Sequence, residues 1–310
     1  MTRGIYLVAN RRSEREAAHL IFTLRKAGCK LPIALIPYDE DLPVHPRLRA
    51  ETTFLQVKDF PEEGRALLGQ IAELWPESRA GLFRRLLAWW GPFDEFIYSD
   101  NDIVALADWS LFLDRLGDNN FLHVDGEYVT GGVYAYKKPE MVLEKFGPGA
   151  LDSLLTTGYY ASRKKPEIAA AFTSTLAWLR ANPDVAHEVD GAFIHLAVLA
   201  GGLRIRNMCR APDNWPSPWA GEYHNALDLV QLSQTGRPLF HIHFAGWDAD
   251  GYAASEELYF SEDTNAQRMR RHVRVAFSHW SGLHHLRTRI WRGLKRRIRR
   301  ILPPAKRTGP

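Results

Sequence analysis

Cysteine is nearly absent from this chain, and the two residues present, Cys29 and Cys209, lie outside any metal-binding spacing. Their scarcity excludes a disulfide framework, suits a reducing compartment and assigns both to the core. Long hydrophobic runs are missing as well: no stretch approaches the roughly 18 to 20 uncharged apolar residues that cross a bilayer. The first apolar run, residues 5–9, is too short for a secretory signal and lacks a small-residue cleavage site, so it reads as a buried strand. Glycine is missing where phosphate loops need it. Ala9-Asn10-Arg11-Arg12 fills the turn where G-x-G-x-x-G would stand, and neither G-x-x-x-x-G-K-S/T nor G-x-S-x-G occurs. A dinucleotide site therefore lacks its close-approach glycines, and P-loop phosphoryl transfer and α/β-hydrolase chemistry drop out.

Acidic residues stop at Asp263, and the segment beyond it holds 14 of the 40 Lys and Arg. The net charge of +4 is therefore a composite, with about −10 before that point and a strongly basic tail after it. A uniform basic surface for nucleic acid is absent. With 45% apolar and 25% charged residues in 310, the chain is globular and long enough for one large core with an addition. The expected division is a catalytic domain over residues 1–263 and a basic helical tail over 264–310.

The hydrophobic pattern opens strand, helix, strand. Residues 5–9 are apolar, and Ser13 with Glu16 fits a capping box. Ala17, Leu20, Ile21, Leu24 and Ala27 share a helical face that Gly28 ends, and Ile33-Ala34-Leu35-Ile36 closes at Pro37. Two continuous apolar strands joined by an amphipathic helix indicate a parallel sheet, hence an α/β fold. A short strand is expected at 53–57, with helices at 62–75 and 80–90. Further strands are expected at 96–98, 103–106, 120–124, 133–136, 203–206 and 240–244, and further helices at 167–181 and 189–199.

One strand carries chemistry. Phe96-Ile97-Tyr98 runs into Ser99-Asp100-Asn101-Asp102 before the apolar Ile103-Val104-Ala105-Leu106. Carboxylates at the carboxyl end of a buried strand stand where open α/β sheets place ligands. As a bare tripeptide Asp-x-Asp is most often a solvated turn, but a buried strand end seldom tolerates two carboxylates without a partner. Hard oxygen ligands suit Mg²⁺ or Mn²⁺ with positions left for phosphates. Far downstream, Phe240-His241-Ile242-His243-Phe244 places two histidines on one strand face; one can complete the metal site, or both can be core histidines satisfied by backbone.

In this order the chain resembles glycosyltransferase family 8 and its relatives. The family's Asp-x-Asp strand is preceded by a helix with an Arg and followed by a Gly-rich strand start. A helix opening with Asp, an Asn-Trp element and a final His-Phe/Tyr-x-Gly strand complete the pattern. The matching pieces are Arg84 or Arg85, residues 96–104, Thr130-Gly131-Gly132-Val133, Asp190-Gly191-Ala192-Phe193, Asn214-Trp215 and His243-Phe244-Ala245-Gly246. The resemblance implies a single Rossmann-like, mostly parallel mixed sheet flanked by helices, the GT-A fold. It also implies metal ligands at Asp100, Asp102 and His243, with Asn101 and His241 close to the bound donor. Ala9 and Asn10 would meet the nucleotide base and ribose, Arg84 or Arg85 would approach the donor, and Gly132 would let the acceptor side come close to backbone. Asp190 would orient donor hydroxyls, although a carboxylate at a helix start is equally a cap. The chain departs from the family at Gly191, where Gln is common, and at Trp247-Asp248-Ala249-Asp250, where Lys-Pro-Trp often stands. Trp215 and Trp219, in the Pro-rich residues 211–221, are the candidate acceptor aromatics.

Residues 284–302 read as a helix with Leu286, Ile290, Leu294 and Ile298 on one side and arginines around the remainder. That pattern fits an interfacial helix on anionic lipid, each basic residue adding about 1 kcal/mol. A nucleic-acid arm and a docked helix with a solvated basic face are the alternatives. The combined expectation is a cytoplasmic enzyme peripheral on the inner face of the plasma membrane. It would move a sugar from a UDP-sugar or similar donor to a glycan or lipid-linked acceptor with Mn²⁺ or Mg²⁺. A nucleotidyltransferase making nucleotide-sugars and a non-catalytic nucleotide-sugar-binding protein are the competing readings.

Overall fold

The computed structural model describes residues 1–76, 80–124, 135–155, 157–219 and 239–244. They belong to the first of two compact units, Met1–Gly246; the second, Trp247–Pro310, lies outside the described residues, as does the expected helix at 284–302.

Strand β1 (Arg3–Ala9) pairs in parallel with β2 (Ile33–Pro37) on one side and β4 (Glu95–Ser99) on the other. β3 (Thr52–Phe54) extends the sheet beyond β2, again in parallel. Beyond β4 lie β7 (Tyr159–Arg163), antiparallel to both its neighbours, then β6 (Phe121–His123) and β8 (Ile205–Asn207). The resulting order is β3-β2-β1-β4-β7-β6-β8, a seven-stranded, mostly parallel mixed sheet. β5 (Ile103–Ala105) and β9 (His241–His243) form a separate two-stranded antiparallel ribbon.

The period-two alternation of strand side chains divides each strand between two cores. Tyr6, Val8, Ala34, Ile36, Phe96, Tyr98 and Tyr160 face one, with helices α2 (Glu62–Leu74), α4 (Pro166–Ala181) and α5 (Asp190–Ala200) packed on it. Ile5, Leu7, Ala9, Ile33, Leu35, Ile97, Tyr159 and Ala161 face the other, under α1 (Glu14–Lys26) and the ribbon residues Ile103 and Ala105. A sheet buried on both faces explains why β1 and β2 read as unbroken apolar runs. Each fully buried Val, Leu, Ile or Phe among them contributes about 1.5–3 kcal/mol.

Four expectations need correcting. Ser13 precedes α1 but makes no cap; its hydroxyl accepts from the backbone N–H of Asn10 and from Asn101 Nδ2, so the capping box does not form. The helix expected over 80–90 divides into α3 (Ala80–Phe83) and a 3₁₀ stretch, Arg84–Trp90. β3 is shorter than expected and turns into a 3₁₀ segment at Val57–Asp59. β7 was not expected at all. α1 does stop where Gly28, at φ +88°, permits the left-handed turn. Residues 133 and 134 of the strand expected at 133–136 lie outside the described residues; of the remainder, Tyr136 makes an isolated antiparallel bridge to Ala186. Among the described residues no helix is long and apolar enough to cross a membrane.

Candidate functional site

In the strand order, β1 sends its helix connection toward β2, while β4 lies on its other side. The crevice outside the carboxyl ends of β1 and β4 is therefore the topological switch point, the place where such sheets bind ligands. A cleft of about 410 Å³ opens there, lined by Val8 and Asn10 from the first strand end and by Asp100, Asn101 and Asp102 from the second.

The ribbon brings the histidine to the aspartates. β5 begins right after Asp102, and the antiparallel register sets His243 opposite Ile103. The Phe244 N–H donates to the Asp102 carbonyl at 2.9 Å, and the His243 N–H donates to the Pro218 carbonyl at 2.8 Å. His243 Nε2 consequently stands 3.3 Å from Asp102 Oδ1. Opposite, Gly158 comes so close that a Cβ there would lie 2.2 Å from His243 Cε1, while its carbonyl accepts the Asp100 N–H at 2.7 Å. One ligand atom from each of Asp100, Asp102 and His243 lies within 4.8 Å of the others, among the described residues. Ligand atoms about 2.1 Å from a hard cation sit about 3 Å apart at right angles and about 4.2 Å apart across it. Shifts of under about 1 Å would thus let these three hold one. Two carboxylates and an imidazole fit Mn²⁺ or Mg²⁺ in chemistry as well as spacing.

Arg85 is the second centre. Its side chain is 5% exposed, 3.1 Å from Asp100 Oδ1 and 2.9 Å from Asp190 Oδ2. It donates to the Thr157 and Leu82 carbonyls and lies over the Tyr98 ring. Burial works against its charge, but Asp100 and Asp190 hold it firmly protonated. The Tyr98 hydroxyl donates to Asp100 at 2.9 Å and the Thr157 hydroxyl to Asp190 at 2.7 Å. Burial lifts the Asp100 carboxyl above the usual range, with the Arg85 charge opposing it. Burial would lift Asp102 too, yet the hydrogen bond and charge of His243 hold it below that range. The two carboxylates are therefore unequal: one leans on a fixed internal cation and the other faces the histidine and the cleft.

The sequence candidates separate accordingly. Asp100, Asp102, His243, Arg85 and Asp190 are brought together, and Asn10 and Asn101 line the same cleft. Arg84 turns away to the Pro37 carbonyl and Glu40. Ala9 is fully buried in the core. His241 is 1% exposed, with its ring 3.8 Å from that of Tyr159. Asp190 opens α5 as its first residue with its carboxylate turned to Arg85 and Thr157, while Val189 occupies the cap position. Gly132 lies outside the described residues. Trp215 is 7% exposed and stacked on Phe240 at 5.0 Å, which makes it a core residue rather than an acceptor platform. Sequence reasoning missed Thr157, Gly158 and Tyr98. The Thr157-Gly158 pair just ahead of Tyr159-Tyr160 was the available signal, a small residue opening a strand of high β-propensity.

No family model and no curated protein sequence matches the chain. Solved structures do. The galactosyltransferase LgtC, in complex with donor and acceptor sugar analogs, superposes with a TM-score of 0.52 at 16% identity, over 83% of this chain and 95% of that one. The fold is that of the GT-A glycosyltransferases. The bifunctional glycosyltransferase WbbM, in its apo structure, shares the GT-A fold with a TM-score of 0.50 at 15% identity. That match covers 84% of this chain, which spans half the length of WbbM.

Proposed function

We propose that this chain is a metal-dependent glycosyltransferase that uses a nucleotide-diphosphate sugar, with a UDP-sugar as the working donor, and glycosylates a hydroxyl of a glycan or lipid-linked acceptor. The observation that carries the proposal is the convergence of Asp100, Asp102 and His243 at the switch-point cleft of a GT-A fold. The resemblance to family 8 in the order of the sequence motifs supports the same reading.

Asp100, Asp102 and His243 would hold the divalent cation, which when bound supplies Lewis-acid neutralisation of a diphosphate leaving group. The remaining work belongs to the chain. Arg85 fixes Asp100 and Asp190 in a pre-set arrangement, so neither carboxylate needs to reorganise as charge develops. Asp190, anchored by Thr157 and Arg85, stands as an acceptor for donor hydroxyls. Asn101 ties the two strand ends together by donating to the Val8 carbonyl at 2.8 Å, which keeps the cleft floor rigid. The basic, amphipathic residues 284–302 support a place on an anionic bilayer beside a lipid-linked acceptor; pelleting with anionic liposomes, lost on truncation after Gly282, tests that part.

Calorimetric titration of UDP and UDP-sugars, with and without Mn²⁺, tests the assignment. Metal-dependent binding that Asp102→Ala abolishes, together with slow donor hydrolysis in the same samples, is expected. Full binding by Asp102→Ala, or binding without any turnover of donor, would overturn it.

A further inference from the structure

Tyr98 and Asp100 stand two residues apart at the carboxyl end of β4, so their side chains leave the sheet on the same face. Tyr98 is 1% exposed. The Arg85 guanidinium lies 4.5 Å from the centre of its ring, and the Tyr160 ring stacks on it at 5.3 Å. Packed against a cation and a second ring, Tyr98 has no room to swing, and its hydroxyl is fixed on the neighbouring carboxylate.

Two donors meet on one oxygen of that carboxylate. The Tyr98 hydroxyl donates to Asp100 Oδ1 at 2.9 Å, and Arg85 Nη2 lies 3.1 Å from the same atom. A carboxylate has about four lone-pair sites, shared equally by its oxygens, so Oδ1 is filled. Oδ2 receives no donor from the described residues and is the oxygen left for a cation. Ligation through one oxygen or through both discriminates among cations. Ca²⁺ takes about six to eight oxygens and readily accepts both from one carboxylate, whereas Mg²⁺ is smaller and demands near-octahedral geometry. Mn²⁺ shares that octahedral oxygen geometry. An Asp100 with Oδ1 filled offers a single ligand atom, which suits the smaller ions.

From this geometry we infer that Tyr98 sets the metal selectivity of the site. By filling the second lone-pair site of Asp100 Oδ1 beside Arg85, it confines Asp100 to ligation through Oδ2 and disfavours Ca²⁺. Tyr98 is a positioning residue that acts through Asp100. The inference rests on the metal site proposed above and assigns to this tyrosine the choice of ion.

Calorimetric titrations of the 310-residue chain with MnCl₂ and with CaCl₂ test it. Wild type should bind Mn²⁺ more tightly than Ca²⁺; equal affinity would overturn the inference. Tyr98→Phe, which removes the hydroxyl and keeps the ring, should narrow that preference by at least about 10-fold. Loss of a partner behind a ligand weakens Mn²⁺ binding by about 10- to 100-fold, while Ca²⁺ gains the second oxygen. A change that merely loosened the cluster would weaken both ions alike and leave the ratio unmoved. Thr157→Val is the control. It takes the matching hydroxyl from Asp190, which Arg85 meets in the same way, and should leave the ratio as in wild type. A ratio unchanged in Tyr98→Phe, or changed as much in Thr157→Val, would overturn the inference while leaving the metal site intact. If Tyr98→Phe does not fold, wild-type crystals soaked in Mn²⁺ decide: ligation by the Asp100 oxygen remote from Tyr98 and Arg85 supports the inference, and ligation by both oxygens overturns it. Absence of Mn²⁺ binding in wild type would remove the metal site and the inference together.

Discussion

Gly158→Ala is a sharp perturbation, because one methyl group is aimed at one ligand. A Cβ at this position would lie 2.2 Å from His243 Cε1 and 2.9 Å from each ring nitrogen. Carbon atoms rest about 3.5–4.0 Å apart, so the imidazole has to retreat by more than about 1 Å. Metal ligation tolerates about 0.2 Å. The ring cannot yield by sliding along β9, because its backbone is pinned by the Pro218 carbonyl and by the register with β5. Gly158 is not in the left-handed region, so the substitution acts through space rather than through backbone strain. The expected stability loss is about 1–3 kcal/mol, the ordinary cost of overpacking. Mn²⁺ affinity should fall further, about 10- to 100-fold, as when the support of a ligand is lost. Urea unfolding and calorimetric Mn²⁺ titration of the same preparation separate the two effects. A folded Gly158→Ala protein that binds Mn²⁺ as wild type does would refute the placement of His243 at the metal.

Arg85→Met leaves Asp190 and Asp100 without their internal cation and should cost about 3–5 kcal/mol in urea unfolding without metal. Mn²⁺ should restore more stability to this variant than to wild type, and a loss under about 1 kcal/mol would count against the cluster. Acidification supplies an independent check. Burial pushes His123 and His195 down to about 3 and His241 well below its ordinary value. The folded values lie below the unfolded value of about 6.5, so the unfolded chain takes up more protons as pH falls. Their contribution is complete above about pH 6.5 and is lost progressively toward about pH 3, and at pH 5.5 each costs about 1.4 kcal/mol. Urea midpoints at pH 7.5 and 5.5 should show this loss, and His123→Phe should remove its share; equal stability at both pH values would contradict the burial of neutral imidazoles.

Much of the fold was legible because its central strands are buried on both faces, and that condition writes continuous apolar runs such as Ile5-Tyr6-Leu7-Val8-Ala9. β7 escaped for the opposite reason. Tyr-Tyr-Ala-Ser-Arg carries two polar residues whose partners are remote: Ser162 meets Trp89, and Arg163 reaches Glu95 and the Gly117 and Asn119 carbonyls. Its antiparallel course also breaks the strand-helix-strand rhythm. Within the site, Asp100 and Asp102 could be named from their place at a strand end. Arg84 and Arg85 could not be told apart, because adjacent residues of a 3₁₀ stretch point to different sides and only packing shows which is buried. Gly158 was invisible since its importance is a distance to a residue 85 positions away. The Ser13 and Glu16 pair shows the converse: a satisfactory local motif that does not close, because the Ser13 hydroxyl is taken by the Asn10 N–H and the Asn101 amide.

The central claim is a place, the space shared by two aspartates and one histidine. Crystals of the 310-residue chain soaked in Mn²⁺ and measured at the manganese absorption edge locate the ion directly. The account predicts one strong anomalous peak about 2.0–2.3 Å from a carboxylate oxygen of Asp100, one of Asp102 and a ring nitrogen of His243. A peak bound elsewhere, with these three residues unchanged while solution titration shows saturation, would contradict it.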